Sequence, residues 1–477
     1  MKQFVKVLQV PFTYHPDALG GTEVFVEALA QRLGERGVES VIAAPGTAET
    51  CGEHGGLRVW RYPVGMELQD VSEMYGEGDE VAAAAFDRIM ERERPAVVHL
   101  HAQTRGVSLR MLRAARRRHI PVVYTYHTPT ATCQRGTLMR WGNEVCDGVM
   151  TKSLCAACAL EGRGVNRLAA HALAALPAAV GALCGRAGLR GGVWTAIRVR
   201  ELTTLRHRCA REFLAEADHV VAVCEWVRAV LLRNGVPTDK ITLSRQGLCQ
   251  EPGVGGLQSP SESEAGRSGN RKSPSQLTSE KPALRVAFLG RLDPTKGVDL
   301  LLRALKRMPD AKLTLDIYGI AQGAGDERFA RSLCALAADD SRINFRPPVA
   351  ASEVVSTLRR YDVLAVPSQW LESGPMVVLE AFAAGVPVVG SRLGGIAELV
   401  RDGVDGLLVE PANMSAWTET WRRVCTEAEL LPRLRAGIRA PRTMGTVAGE
   451  MADLYRQLLS RTQAAAAVAN SSAAIVP

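Results

Sequence analysis

The chain has 477 residues, 47% of them apolar and 5% aromatic, which excludes a wholly disordered protein and leaves room for two domains with their connections. Its net charge of +8 permits contact with nucleic acid or with an anionic membrane surface. The arginines gather in two places, Arg105, Arg110, Arg113, Arg116, Arg117 and Arg118, and seven between Arg186 and Arg211 against the single Glu201. No nucleic-acid module accompanies either cluster, so a membrane surface is the better partner and no nucleic acid is expected. Residues 1–10 run straight into a strand pattern and are too short and regular for a signal peptide. No uninterrupted apolar span reaches transmembrane length; the nearest, 168–184, carries His171 and Pro177. The expected location is the cytoplasm, at the inner face of the membrane where basic segments meet lipid, with reduced thiols.

Short apolar runs at 5–10, 97–101, 122–126 and 220–224 read as strands, and 22–36 and 107–118 as amphipathic helices. This alternation predicts βαβ units and a mostly parallel sheet over residues 1–250, with ligands at the carboxyl ends of its strands. Gly20-Gly21-Thr22-Glu23 follows the first strand, and Thr22 reads as a helix N-cap. His127 ends the strand 122–126; His99 and His101 flank another strand end. Cys133, Cys146, Cys155 and Cys158, spaced Cys-x12-Cys-x8-Cys-x2-Cys among eleven cysteines, could hold a structural Zn²⁺. An iron–sulfur cluster, free thiols and a redox pair are the alternatives. The segment 132–159 follows His127 directly. Residues 168–211 are apolar, then arginine-rich, with Trp194 inside: either an amphipathic surface on anionic lipid or a helical hairpin packed on the first domain.

Residues 251–282 are rich in Ser, Gly, Pro and charge without apolar period and read as a flexible linker. Strand patterns restart at 284–289, 312–318, 362–366 and 386–390, predicting a second doubly wound domain over 283–435. Helices at 436–461, the last over 448–461, and a disordered tail at 462–477 complete the chain. Gly290-Arg-Leu-Asp-Pro-Thr-Lys-Gly297 follows the first of these strands and places two cations, Arg291 and Lys296, where it ends. Such cations can stabilise charge developing on a diphosphate leaving group without a metal. In residues 367–381, Pro-Ser-Gln-Trp-Leu-Glu-Ser-Gly-Pro-Met-Val-Val-Leu-Glu-Ala, Glu372 and Glu380 lie eight residues apart. Pro375 suits the first helical position, which puts Glu372 on the preceding loop and Glu380 in the second turn. Free amides at the helix start make an anion site, while carboxylates take hydroxyl hydrogen bonds. A phosphate beside several hydroxyls describes a sugar nucleotide.

This last segment resembles the Glu-x7-Glu motif of the family 4 (group 1) retaining glycosyltransferases, including the leading Pro-Ser, the Trp, the Gly-Pro and the trailing Glu-Ala. Gly290–Gly297 is similar to the family's Gly-Arg-Leu-x-x-x-Lys-Gly motif. Gly394-Gly-Ile-Ala-Glu-Leu-Val400 and the turn-like Asp402–Val409 also match. The resemblance implies a GT-B fold, two doubly wound Rossmann-like domains facing across a cleft, with the final helix packed back on the first domain. It implies transfer of a hexosyl unit from a nucleotide-diphosphate sugar to an acceptor hydroxyl of a glycan, glycolipid or small molecule, with retention of configuration and no catalytic metal. Arg291 and Lys296 would hold the diphosphate, Glu380 the ribose and Glu372 the sugar hydroxyls. His127 would orient the sugar, Gly20 and Gly21 lie over the donor, and Gly290, Ser373, Gly374, Pro375 and Met376 complete its site. Tyr318 marks the start of the nucleotide pocket, although the family's Gly-x-Gly is altered here to Gly-Ile-Ala-Gln-Gly. The alternatives are a GT-B epimerase and a non-catalytic sugar-nucleotide-binding module; all four of Arg291, Lys296, Glu372 and Glu380 are present, which favours the enzyme.

Overall fold

A computed structural model describes residues 5–17, 20–65, 67–68, 70–249 and 283–473; the segment expected as a linker lies outside them. Two separate sheets are built. The first orders its strands Ile241–Leu243, His219–Ala222, Val122–Tyr126, Val97–Leu100, Val5–Val10, Val38–Gly46, Leu57–Pro63 and Thr50–His54. All its pairings are parallel except the hairpin that adds Thr50–His54 at the edge. The second orders Ile343–Arg346, Leu313–Ile320, Leu284–Arg291, Val363–Val366, Val388–Ser391 and Gly406–Val409, parallel throughout. Central strands such as Val97–Leu100 and Val363–Val366 are buried along their whole length, because helices cover both faces and every side chain meets apolar surface.

Register decides where the chemistry emerges. Val7 pairs with Val97 and Val98 with Val122, so the first domain's strands end together, with His101 and His127 just beyond two of them. Val286 pairs with Leu315 and with Val363, which aligns the exits at Arg291 and Pro367. Both sets of ends open towards the contact between the domains.

Local capping differs from the sequence reading at two helix starts. The helix Gly21–Gly34 is capped by Gly20, not Thr22: Glu23 reaches back to accept the Gly20 N–H at 2.9 Å, a capping box closed by the acid at the third helical position. Pro375 is the cap of the helix Met376–Ala383 and Met376 its first residue, since a residue at φ −67° and ψ 117° is not yet helical. A third difference concerns the C-terminus. The last helix runs Met444–Ala473, so the expected disordered tail is helical as far as Ala473, in keeping with alanine's helix propensity. Met444, Val447, Met451, Leu454 and Tyr455 of this helix join Val7, Phe25, Leu29 and Leu33 in one buried core, which docks the chain's end on the first domain.

Four arginines of the first cluster pair with acids of the same domain, while Arg116, Arg117 and Arg118 lie on its surface. Arg113 pairs with Glu77, Glu212 and Glu216, Arg110 with Glu80, Arg105 with Asp79 and Arg118 with Asp87. In the second cluster Arg198, 4% exposed, is held between Asp70 and Glu201. Residues 168–211 form a helical layer in which Leu168, Leu183, Val193 and Trp194 remain exposed. Among the described residues no single helix is long and apolar enough to cross a membrane; the pair Arg167–Ala175 and Ala178–Arg186 would together have the length but is bent by 83°.

Candidate active site between the domains

The turn after Leu284–Arg291 is fastened to the segment after Val363–Val366 by a glycine. Gly297 has φ +68°, and a Cβ there would collide with the Pro367 carbonyl oxygen, so the close approach admits no side chain. This brings Lys296 Nζ to 2.5 Å from Glu372 Oε1 and 5.4 Å from the Trp370 ring centroid. Ser368 Oγ donates to the same carboxylate oxygen at 2.9 Å. Glu372, 7% exposed, is thus ionically satisfied inside the protein. Its backbone is held from behind by the helix start at Gly394-Gly395. The Gly395 N–H donates to Glu372 O at 2.6 Å, and a Cβ on Gly394, at φ +47°, would lie 2.8 Å from that oxygen. The motif at 394–400 therefore braces the Glu372 loop.

The first domain meets this loop directly. Ser373 Oγ donates to the His127 carbonyl, Trp226 Nε1 donates to Glu372 O at 2.8 Å, and Leu371 N donates to Thr137 O at 3.3 Å. A Cβ on Gly21 would face Met376 Cγ at 3.9 Å, and one on Gly374 would face Gln246 Cγ at 3.3 Å. Glu398 reaches from the second domain to accept the N–H groups of Glu225 and Trp226 at 2.8 and 2.9 Å, a carboxylate on the positive end of the helix Glu225–Arg233. The structure therefore gathers Gly20, Gly21, His127, Lys296, Glu372, Ser373, Gly374, Pro375 and Met376 around one inter-domain contact.

Glu380 stands apart electrostatically. Its side chain has no hydrogen-bond or ion-pair partner among the described residues, and burial pushes its carboxyl up to about 7. Arg291, 47% exposed, pairs with Asp293 at 2.8 Å and Asp326 at 3.1 Å. Gly290 precedes it on the strand. Tyr318 is engaged elsewhere: its hydroxyl bonds Tyr361 at 2.7 Å, which in turn donates to Asp316, and no bond links it to Lys296, Glu372 or His127.

His127 is buried, 4% exposed, and desolvation lowers its pKa to about 3. Its Nε2 lies 3.0 Å from His101 Nδ1, and His101 Nε2 lies 2.8 Å from Gln9 Oε1. Since the amide oxygen only accepts, His101 donates from Nε2 and accepts at Nδ1; His127 then carries its proton on Nε2. This leaves His127 Nδ1, which is buried without a partner, as a hydrogen-bond acceptor. The chain of bonds continues through Gln9 Nε2 to Tyr455 of the last helix, and from Tyr455 to His99 and Thr125. Sequence reading singled out His99 and His101 but not Gln9, Trp226, Gln246 or Tyr455, whose neighbours are remote along the chain.

A cavity of about 500 Å³ opens beside this contact, lined by Gln134, Arg135, Thr137 and Met139 on one side and Pro294, Thr295 and Gln369 on the other. Two groups outside it have metal-ligand chemistry. His15, Glu27 and His54 hold their ligand atoms within 4.8 Å of one another; the two imidazoles stack at 3.6 Å and 21°, and both turn Nε2 to the Glu27 carboxylate, at 3.3 and 3.6 Å. The four cysteines of 132–159 line a second, smaller cavity.

Two family models match the chain, glycosyl transferases group 1 over residues 270–440 and the glycosyl transferase 4-like domain over residues 20–246. The D-inositol 3-phosphate glycosyltransferase of Nocardia farcinica is 32% identical over 238 residues, covering 48% of this chain and 49% of the relative. That of Mycobacterium sp. (strain KMS) is 39% identical over 138 residues, covering 28% of this chain and 30% of its own. The chain thus spans about half, or less, of the length of these curated relatives. Among solved structures, Anabaena HepE in complex with UDP and glucose superposes with a TM-score of 0.59 at 15% identity, over 95% of this chain and all of that one. Sucrose-phosphate synthase from Thermosynechococcus elongatus gives 0.62 at 17%, over 96% and 100%; at such identities the likeness is one of fold. With the two models spanning both domains, the chain belongs to the group 1 glycosyltransferases and has the GT-B fold.

Proposed function

We propose that this protein transfers a hexosyl unit from a nucleotide-diphosphate sugar to an acceptor hydroxyl with retention of configuration. The observation that carries the reading is the convergence of Lys296, Glu372, Ser373 and His127 across the domain contact. When the bond from the sugar's anomeric carbon to the diphosphate breaks, negative charge develops on the departing oxygen. Lys296 and Arg291 would be the cations that stabilise it. Glu372 would accept sugar hydroxyls with the oxygen that Lys296 leaves free, His127 Nδ1 a further one, and Glu380 the ribose hydroxyls. The acceptor hydroxyl would enter on the face the diphosphate leaves, through the cavity beside Thr137 and Met139, and no catalytic metal takes part. UDP bound to HepE supports a nucleoside diphosphate as the ligand to try first. A glycan or lipid-linked acceptor suits the same cavity.

Calorimetric titration with UDP, GDP and ADP, followed by a turnover assay with the sugar nucleotides of whichever base binds, tests this. Hydroxyls donate to a carboxylate better than to a carboxylic acid, so affinity is expected to rise as pH increases through about 7, where Glu380 ionises. In Glu380→Gln that rise disappears. Absence of binding by every nucleotide in the panel would defeat the reading.

The layer carrying exposed Leu168, Leu183, Val193 and Trp194 beside Arg167, Arg186 and Arg190 suits an anionic membrane surface. Co-sedimentation with phosphatidylglycerol vesicles is expected to be salt-sensitive and weakened by Leu183→Glu; equal recovery with neutral vesicles would remove the proposal.

A further inference from the structure

Cys133, Cys146, Cys155 and Cys158 are not used by the transfer chemistry, yet distinct pieces of backbone deliver them to one place. Cys133 follows a tight turn and donates its N–H to Pro129 O at 2.8 Å. The small hairpin of Met139–Arg140 with Glu144–Val145 returns the chain, and Cys146, just past it, donates its N–H to Leu138 O at 2.8 Å. Cys155 and Cys158 lie three residues apart on the helix Lys152–Glu161, hence on one face. All four are free thiols of intermediate exposure, and all four line a cavity of about 30 Å³.

The loop around them holds unusual backbone. Gly136, Leu138, Trp141, Gly142 and Gly148 all have positive φ. Leu138 and Trp141 bear side chains, which enter that region only where surroundings hold them there. A loop, a hairpin and a helix bring four thiols to the wall of one cavity, the ligand number of a closed, tetrahedral site of four thiolates. We propose that these four cysteines bind a single structural Zn²⁺ as thiolates, with release of the thiol protons. The cavity has room for one ion or one water, which favours a mononuclear site over an iron–sulfur cluster. Among the described residues no three of these sulfurs lie within 4.8 Å of one another. Cys146 Sγ lies 3.7 Å from Asp147 Oδ1 and Cys155 Sγ 3.9 Å from Val149 O. The ion would draw the thiolates inward from these weak contacts.

The site would act on the cleft at second hand. Leu138 packs with Leu371 and Leu393 of the second domain, with Cys133 and Cys146 against the same cluster, and Thr137 O receives the Leu371 N–H beside Glu372. The ion would fix the wall formed by Gln134, Thr137 and Met139 without touching a reacting atom, so the proposal stands whether or not the transfer reading does.

Elemental analysis of the full chain purified without chelators is expected to find about one zinc per chain. The double variant C155S/C158S should lose it, and C51S/C334S, altered at two exposed cysteines elsewhere, should keep it. Because the first variant could also misfold, a second measurement uses the wild-type protein. Cobalt added after chelator treatment should give the visible d–d bands and thiolate charge-transfer absorption of a tetrahedral thiolate site, and chelation should expose four further thiols to a colorimetric thiol reagent. Wild-type protein from zinc-supplemented growth with neither zinc nor cobalt bands would overturn the proposal. So would iron with acid-labile sulfide, a disulfide among the four, or undiminished zinc in C155S/C158S.

Discussion

Lys296→Ala is expected to lower kcat/KM for the sugar nucleotide about 100- to 1000-fold, or roughly 3–4 kcal/mol of transition-state stabilisation, the scale of a lost charge-stabilising donor. Lys296 is chosen over Arg291 because its ammonium already sits 2.5 Å from Glu372 and is mostly shielded, whereas Arg291 is more exposed and shared between two aspartates. The substitution also strands Glu372, leaving only the Ser368 hydroxyl to it; breaking a largely buried ion pair costs up to about 3 kcal/mol of stability. The two effects separate in a double variant. Lys296→Ala with Glu372→Gln should recover the melting temperature, since the uncompensated charge is gone, while turnover stays low. Steady-state kinetics beside thermal melts check both; wild-type turnover in the single variant would remove Lys296 from the mechanism.

A second large effect is acid sensitivity of the first domain. Five of its histidines are buried, His99, His101, His127, His207 and His219. Desolvation lowers the pKa to about 3 for His99 and His127, to about 4 for His207 and His219, and well below the usual value for His101. The unfolded chain binds protons below the ordinary histidine pKa of about 6.5 and the folded chain does not, so stability is full above that value and falls as pH drops. Each histidine contributes about 1.4 kcal/mol per pH unit until its folded pKa is reached. In the first unit below the ordinary histidine value, where the unfolded rings go from half to mostly protonated, the five together cost on the order of 5 kcal/mol, a large share of the stability of a domain. Glu23 and Glu380 act in the opposite sense: their raised pKa values favour the folded state at acid pH, with that contribution lost for Glu380 as pH rises through about 7. Two carboxyls offset only part of five imidazoles. Urea denaturation at pH 7.5, 6.5 and 5.5 should show the midpoint collapsing below about pH 6, and the variant His207→Gln should flatten the slope. A midpoint independent of pH over this range would contradict the neutral, buried state of these rings.

The final-helix residue Tyr455 shows how such a site escapes sequence reading. The period of apolar residues around it gives a packed helix, and the hydroxyl looks incidental. Only the fold puts it 2.7 Å from His99 Nδ1, 356 positions away along the chain, and thereby into the line of bonds that leads through Gln9 and His101 to the free nitrogen of His127. Trp226 is similar. It lies on the helix Glu225–Arg233, and tertiary contact turns its indole N–H to the Glu372 carbonyl.

Short-range features are legible in the residue order: the strands 5–10 and 122–126 at their observed bounds, the turn with Lys296 and Gly297, the loop and helix around Glu372 and Glu380, and the cysteine spacing. These follow from periodicity, from backbone restrictions on Gly and Pro, and from residue types grouped within a few positions. The tertiary structure alone decided which nitrogen of His127 is free, that Lys296 and Glu372 neutralise each other, that Tyr318 faces Tyr361 instead of the cleft contact, and that the cysteine loop touches the segment beside Glu372. Each of these depends on contacts between distant segments in a low-dielectric interior, where the partner, and not the residue itself, fixes charge and proton position.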